Sequence, residues 1–193
     1  MKFTRTAGVA VGLALTVAAA FPGVANAETV TSEVSGGSLA LTSQPVTFAS
    51  TALNGADQTI SATPSTPWSL SDARGTGAAW TATVSATAPT SAAGSVETTA
   101  RSIAVGNLDV SAGTVTAGTG SDAITNITGA SSLALSGSAQ TLISSSGESK
   151  GTYTFSPSIG LLVPANAYRS NYSGAVGSTA LNAYVSTLTL SIS

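Results

Sequence analysis

Past its first thirty residues the chain alternates apolar and hydroxyl-bearing side chains, in segments such as SLALTS, TATVSAT, TLISSS, TYTFSP and STLTLSIS. A period of two puts every second side chain on one face of an extended strand, apolar toward a core and polar toward solvent. Helical spacing is nearly absent. Turn formers interrupt the pattern at Gly36-Gly37, Asn54-Gly55, Pro64 and Pro67, Gly75 and Gly77, Gly118 and Gly120, Gly147 and Pro157. Many short strands punctuated in this way predict an all-β chain folded as an antiparallel β-sandwich of the Ig-like or Greek-key type. Ile103, Val105, Leu161, Val163, Leu188 and Leu190 are expected to face inward.

The pattern is weakest over Gly113 to Gly129, GTVTAGTGSDAITNITG, where small residues dominate and Asp122 and Asn126 supply turn chemistry. A long loop or a short edge hairpin is expected there, inside a variable middle segment, residues 91–146. Abundant Ser, Thr, Ala and Gly also suit a low-complexity stalk. Against that, the chain is 42% hydrophobic and sustains its alternation with Leu, Ile, Val, Phe and Trp, enough to offset chain entropy with a packed core. Thr-x-Thr recurs at Thr29, Thr81, Thr114 and Thr152, too irregularly for stacked solenoid coils.

The first residues change the setting. MKFTRTAGVAVGLALTVAAAFPGVANA has a basic start at Lys2 and Arg5, an apolar run from Gly8 to Ala20, and a small-x-small site at Ala25-Asn26-Ala27. This is the layout of a secretory signal peptide, shorter in its apolar run than the ~20 residues of a membrane-spanning helix. Residues 1–27 are therefore expected to be cleaved, leaving 28–193 as a single secreted domain with no membrane association. Removing Lys2 and Arg5 leaves Arg74, Arg101, Lys150 and Arg169 against eight acidic residues. So sparse and acidic a surface argues against nucleic acid and anionic lipid, which need clustered cations. With no cysteine there is no disulfide and no lipoprotein anchor, and no basic apolar tail precedes Ser193. Any hold on a surface is expected to be non-covalent.

Composition also narrows catalysis. Without His or Cys neither a Ser-His-Asp triad nor a cysteine nucleophile can form. Lys150 sits in SSSGESK, where Gly147 occupies the position a Ser-x-x-Lys pair would need. Glu97, Asp109, Asp122 and Glu148 are the carboxylates open to glycosidase-type pairing, and nothing in their spacing brings two together. Asp57, Asp72, Asp109 and Asp122 are too isolated for a calcium loop, and Asn107-x-Asp109 reads as a turn cap. No enzymatic activity, no cofactor and no metal site is expected. A Lys150–Asn amide cross-link, as found in some surface adhesins, is the remaining covalent chemistry.

One short segment carries more. In SDARGTG, residues 71–77, Asp72 can accept backbone N–H groups, Arg74 is close enough to pair with it, and Gly75 and Gly77 allow positive φ. Asp72, Arg74 and Gly75 are thus assigned to a structural turn that delivers Trp80 to the next strand, where Trp80, Ala82 and Val84 share a face. Asp-x-Arg-Gly followed by a Trp-led strand resembles the first motif region of WxL-domain proteins, wall-associated surface proteins of Gram-positive bacteria. The closing segment 151–193 is similar to that family's ending: Phe155-Ser156-Pro157, then Val163-Pro164-Ala165-Asn166-Ala167-Tyr168, then a Tyr184-led final stretch. Where the family has Trp-x-Leu, this chain reads Trp80-Thr81-Ala82 and Leu190-Ser191-Ile192. The literal Trp68-Ser69-Leu70 precedes the Asp72 turn rather than following it.

The resemblance implies a secreted, non-catalytic β module at the cell wall or extracellular surface, associating non-covalently with peptidoglycan or another wall polymer and with other surface proteins. It implies a ligand site at Trp80, Thr81 and Thr83, the indole stacking on a sugar ring and the hydroxyls bonding its edges. The alternative is a structural subunit of a surface fibre or layer, since Ser/Thr-rich strands with few charges pack closely between subunits.

Overall fold

A computed structural model describes residues 31–193. The expected leader, residues 1–27, and the expected mature start at Glu28 lie outside them. The first half of the described chain holds β1 (Leu39–Thr42), β2 (Gln58–Ala62), β3 (Trp68–Asp72), β4 (Trp80–Ala86), β5 (Thr90–Ser91), β6 (Arg101–Ser102) and β7 (Leu108–Ser111). Next come β8 (Val115–Ala117), β9 (Ile127–Gly129), β10 (Leu133–Ala134), β11 (Gln140–Ser145), β12 (Gly151–Phe155) and β13 (Ser158–Val163). The closing strands are β14 (Asn171–Tyr172), β15 (Leu181–Asn182), β16 (Tyr184–Val185) and β17 (Leu188–Ile192). Among the described residues the only helical pieces are two 3₁₀ turns, Val105–Asn107 and Ile124–Asn126.

All pairings are antiparallel, and the strand order is non-sequential: β1-β3-β12-β8, β10-β7-β13-β2 and β17-β4-β11-β9 form three four-stranded sheets. The result is an all-β antiparallel sandwich. Two connections side by side carry the chain between the β3/β12 sheet and the β4/β11 sheet: residues 73–79 and residues 146–150. They are tied together by the Glu148 N–H donating to the Gly77 carbonyl at 2.8 Å. At another corner β7 passes to β8 beside β12 passing to β13, so a paired ribbon changes sheet at Gly113 and Pro157. Gly113 has φ 71°, and a Cβ there would collide with the Ser156 carbonyl oxygen, which is why glycine stands at this bend.

Alternation dictates the core. In β4 the residues Trp80, Ala82, Val84 and Ala86 are buried while Thr81, Thr83 and Ser85 are half-buried on the other face. Leu142 and Ile143 are both buried because a bulge in β11 turns two successive side chains inward. Trp68 packs edge-on against Phe155, ring centroids 5.8 Å apart. Of the six residues expected inward, Ile103, Leu161 and Val163 are buried; Val105, Leu188 and Leu190 are half-buried against the core. The last two lie on β17, an edge strand covered on one side only. Gly113–Gly129 is neither a loop nor a hairpin: it supplies an edge strand to each of two sheets, β8 to one and β9 to another.

Candidate functional site

The Asp72 turn is built as an ionic corner. Asp72 ends β3 on its inward face and is 1% exposed. Its carboxylate accepts the Arg74 backbone N–H at 3.1 Å, Nε–H at 2.9 Å and an Nη2–H at 2.9 Å, a two-pronged guanidinium grip. The same Nη2 donates to the Ala78 carbonyl at 2.8 Å, fixing the far end of the turn. Gly75 and Gly77 have φ of 73° and 65°. The Arg74 side chain holds the Asp72 carboxyl below its ordinary range, and Asp72 in turn raises Arg74.

Trp80 lies inside. Its ring is 2% exposed in the core, so the face that sugar stacking requires is turned away from solvent. Alternation is the reason: Trp80 shares the inward face with Ala82 and Val84, as its position in the strand required. Its Nε1–H has no hydrogen-bond partner, whereas the Trp68 Nε1–H donates to the Gln44 carbonyl at 3.0 Å. Thr81 and Thr83 point the other way. Thr83 stands between Ser191 of β17 and Thr141 of β11; Thr81 stands opposite Ser144, which faces Thr128 of β9. With strands ~4.8 Å apart, these residues make a hydroxyl face, and no strand of the sheet carries a charge. A rank of the same kind crosses the β3/β12 sheet: Thr42, Ser69, Thr154 and Thr116.

Most of the other charges sit on connections; Arg101 and Asp109 lie on the strands β6 and β7. Lys150 Nζ bonds Asp122 at 2.9 Å and Glu148 at 3.0 Å, while the Lys150 N–H donates to Asp122 at 2.9 Å. The hydrogen bonds that Lys150 donates to Asp122 and then to Glu148 raise Lys150, and the same bond to Asp122 lowers Asp122. Amide formation needs both groups uncharged, so this geometry favours an ion pair, with carboxylates at the amine. Glu97 accepts both Arg169 Nη groups, at 2.9 and 2.6 Å, and the Tyr172 N–H at 2.6 Å. Asp109 lies on β7 apart from these groups, and Asn107 donates to the Leu162 carbonyl at 3.1 Å. Among the described residues no three acidic side chains converge as metal ligands, and no helix is long and apolar enough to cross a membrane.

A groove of about 700 Å³ opens beside the extended segment 48–53, floored by Ile60, Ile103, Leu161 and Val163. A hollow of about 300 Å³ shares Phe48, Leu161, Ala183 and Tyr184 with it, so the two form one trough. At the wide end Tyr168 is 62% exposed, and the Arg101 guanidinium lies 4.0 Å over its ring. The Tyr184 hydroxyl donates to the Tyr168 carbonyl at 2.9 Å, bracing this end. Alternation had marked several floor residues as core, and the closing segment 151–193 supplies much of the lining, but the trough itself is assembled from distant segments, with Phe48, Ile60 and Ile103 coming from stretches the sequence had not joined to it.

Searches against protein-family models, curated proteins and solved structures return no match for this chain.

Proposed function

We propose that the chain is a secreted, non-catalytic surface module that associates non-covalently with peptidoglycan or another wall polymer, alone or within a wall-bound assembly. The observation that carries this reading is the adjacency of β4 and β17. The two segments that resemble WxL motifs are neighbouring strands, Ile192 opposite Ala82, with Thr81 and Ser193 exchanging backbone hydrogen bonds of 2.8 and 3.1 Å. Their outward residues, Thr81, Thr83, Thr189 and Ser191, belong to the uncharged hydroxyl face. Such a face suits a neutral, hydroxyl-rich polymer. Each hydrogen bond contributes only about 0.5–1.5 kcal/mol, and a repeating polymer multiplies weak contacts into avidity. Thr81 and Thr83 keep the ligand role that the resemblance implies, and Trp80 takes a supporting one from beneath.

Co-sedimentation tests this. The mature chain should pellet with purified Gram-positive peptidoglycan. Thr83→Arg, which sets a charged side chain in the middle of the face, should release it while circular dichroism and melting stay unchanged; Thr154→Arg, on the other sheet, should not. Wild-type protein that remains in the supernatant with several wall types refutes the reading. The fibre-subunit alternative is favoured by one feature: β9 and β17, the edges of this sheet, carry neither charge nor proline to block strand addition. Polymers in electron micrographs would support it.

A further inference from the structure

The trough has a chemistry of its own, independent of the hydroxyl face. Ile159, Leu161 and Val163 lie along one face of β13 and floor it from the narrow hollow to the wide end, a run of ~13 Å at ~3.3 Å per residue. Phe48 and Tyr184 wall its middle. The volume falls within the range of small-molecule sites, about 300–1,000 Å³.

Charge is concentrated at one end. Of the four described basic residues, Arg74, Lys150 and Arg169 are each in an ion pair, whereas Arg101 is within ion-pair distance of no described carboxylate and is stacked on Tyr168. Arg101 and Arg169 against Glu97 leave that end one positive charge in excess (+2 − 1), on a chain whose formal net charge is −2. Neither Arg101 nor Asp57 is itself a lining residue: Arg101 reaches this end through its stack on Tyr168, whereas Asp57 is engaged by the Ala165 N–H at 2.7 Å.

The geometry points to a binding site for an amphiphile with one extended apolar chain and an anionic head, carboxylate or phosphate, the chain lying over Leu161 and the head at Arg101 and Tyr168. A sugar would lose hydrogen bonds to water against Ile60, Leu161 and Val163 without replacing them. A cationic amphiphile would meet the excess positive charge.

The test is calorimetric titration of the mature chain with decanoate, decyl phosphate and decylammonium, each below its micelle concentration. Both anions should bind saturably, the tighter one naming the head group, and decylammonium at least tenfold more weakly. Lengthening the chain from octyl to decyl should tighten binding about fourfold per methylene. Ala183→Trp fills the junction of the two hollows from an exposed position, and should abolish binding with the circular dichroism spectrum intact. Arg101→Glu should reverse the charge preference. No saturable binding of either anion overturns the proposal. So does anion binding that survives Ala183→Trp in a folded protein, or equal affinity for anionic and cationic heads.

Discussion

The two tryptophans give a test in which opposite effects compete. Both are 2% exposed, yet only Trp68 has its indole N–H satisfied. Replacing either by Phe removes about two buried carbons, roughly 1.5 kcal/mol at ~0.8 per carbon. At Trp80 the substitution also removes an unpartnered buried N–H, whose burial costs about 1–3 kcal/mol. Trp80→Phe should therefore fall between a loss of about 0.5 and a gain of about 1.5 kcal/mol. At Trp68 the lost bond to Gln44 adds about 0.5–1.5 kcal/mol, for a total near 2–3. The variants should differ by about 1.5–4.5 kcal/mol, or roughly 3–18 °C in melting temperature for a domain of this size. Urea unfolding followed by far-ultraviolet circular dichroism and by the remaining tryptophan measures the difference. Trp80→Ala, expected to lose about 3–5 kcal/mol, confirms that the site is core. Equal losses in the two Phe variants, or a larger loss at Trp80, would refute the reasoning.

Three further outcomes are expected. Arg74 holds the Asp72 carboxyl below 3.8, so the pair's stabilisation is complete above that pH and fades as pH falls through the lower folded value; Asp72→Asn should flatten the acid limb of stability against pH, and superimposable limbs would show that the pair contributes nothing. Gly75→Ala, with open space around the new methyl group, should cost only the ~1–2 kcal/mol of a left-handed residue, whereas Gly113→Ala must also displace the Ser156 carbonyl and should cost about 1–3 kcal/mol more; equal melting temperatures would remove the steric account. The intact mass of the mature chain should show no loss at Lys150; a mass short by one ammonia would mean a Lys150–Asn amide, and one short by one water an amide to Asp122 or Glu148.

The sandwich was legible in the sequence because alternation is a local signal. Each strand carries its own inward and outward sets, and that is how Leu161 and Val163 could be placed. The Asp72 turn was legible for the same reason: its partners lie within seven residues of one another, from Asp72 to Ala78. Trp80 shows where a resemblance and the local signal point in different directions. Its alternation with Ala82 and Val84 places it inward, whereas a sugar-stacking role needs an exposed ring. The half-buried state of Leu188 and Leu190 depends on β17 being an edge strand, which is a fact of topology. The trough is more distant still from local pattern, since Phe48, Ile103, Leu161 and Tyr168 line it from segments far apart in the chain.

The placement of charge links stability to surface chemistry. A chain with 7% charged residues and no cysteine has few means of fixing its connections. It uses them at the crossovers: Asp72 with Arg74 in one sheet-to-sheet turn, Lys150 with Glu148 at the end of its neighbour, and Glu97 with Arg169 across a separation of 72 residues. Ion pairs as exposed as the last two contribute little to stability on average. Their effect here is positional, because each carboxylate also accepts a backbone N–H or lies against backbone: Glu97 takes the Tyr172 N–H, and the Glu148 carboxylate is close enough to Gly77 that a Cβ there would meet Oε1 at 2.7 Å. Spending the charges on corners leaves the strands of the two hydroxyl-faced sheets with no ionised group pointing outward. Those faces can be approached without stripping water from an ion, while Arg101, the one basic residue among the described residues outside an ion pair, stacks on Tyr168 at the wide end of the trough. Neutral faces and a single charged mouth therefore follow from the same scarcity that put the ion pairs at the turns.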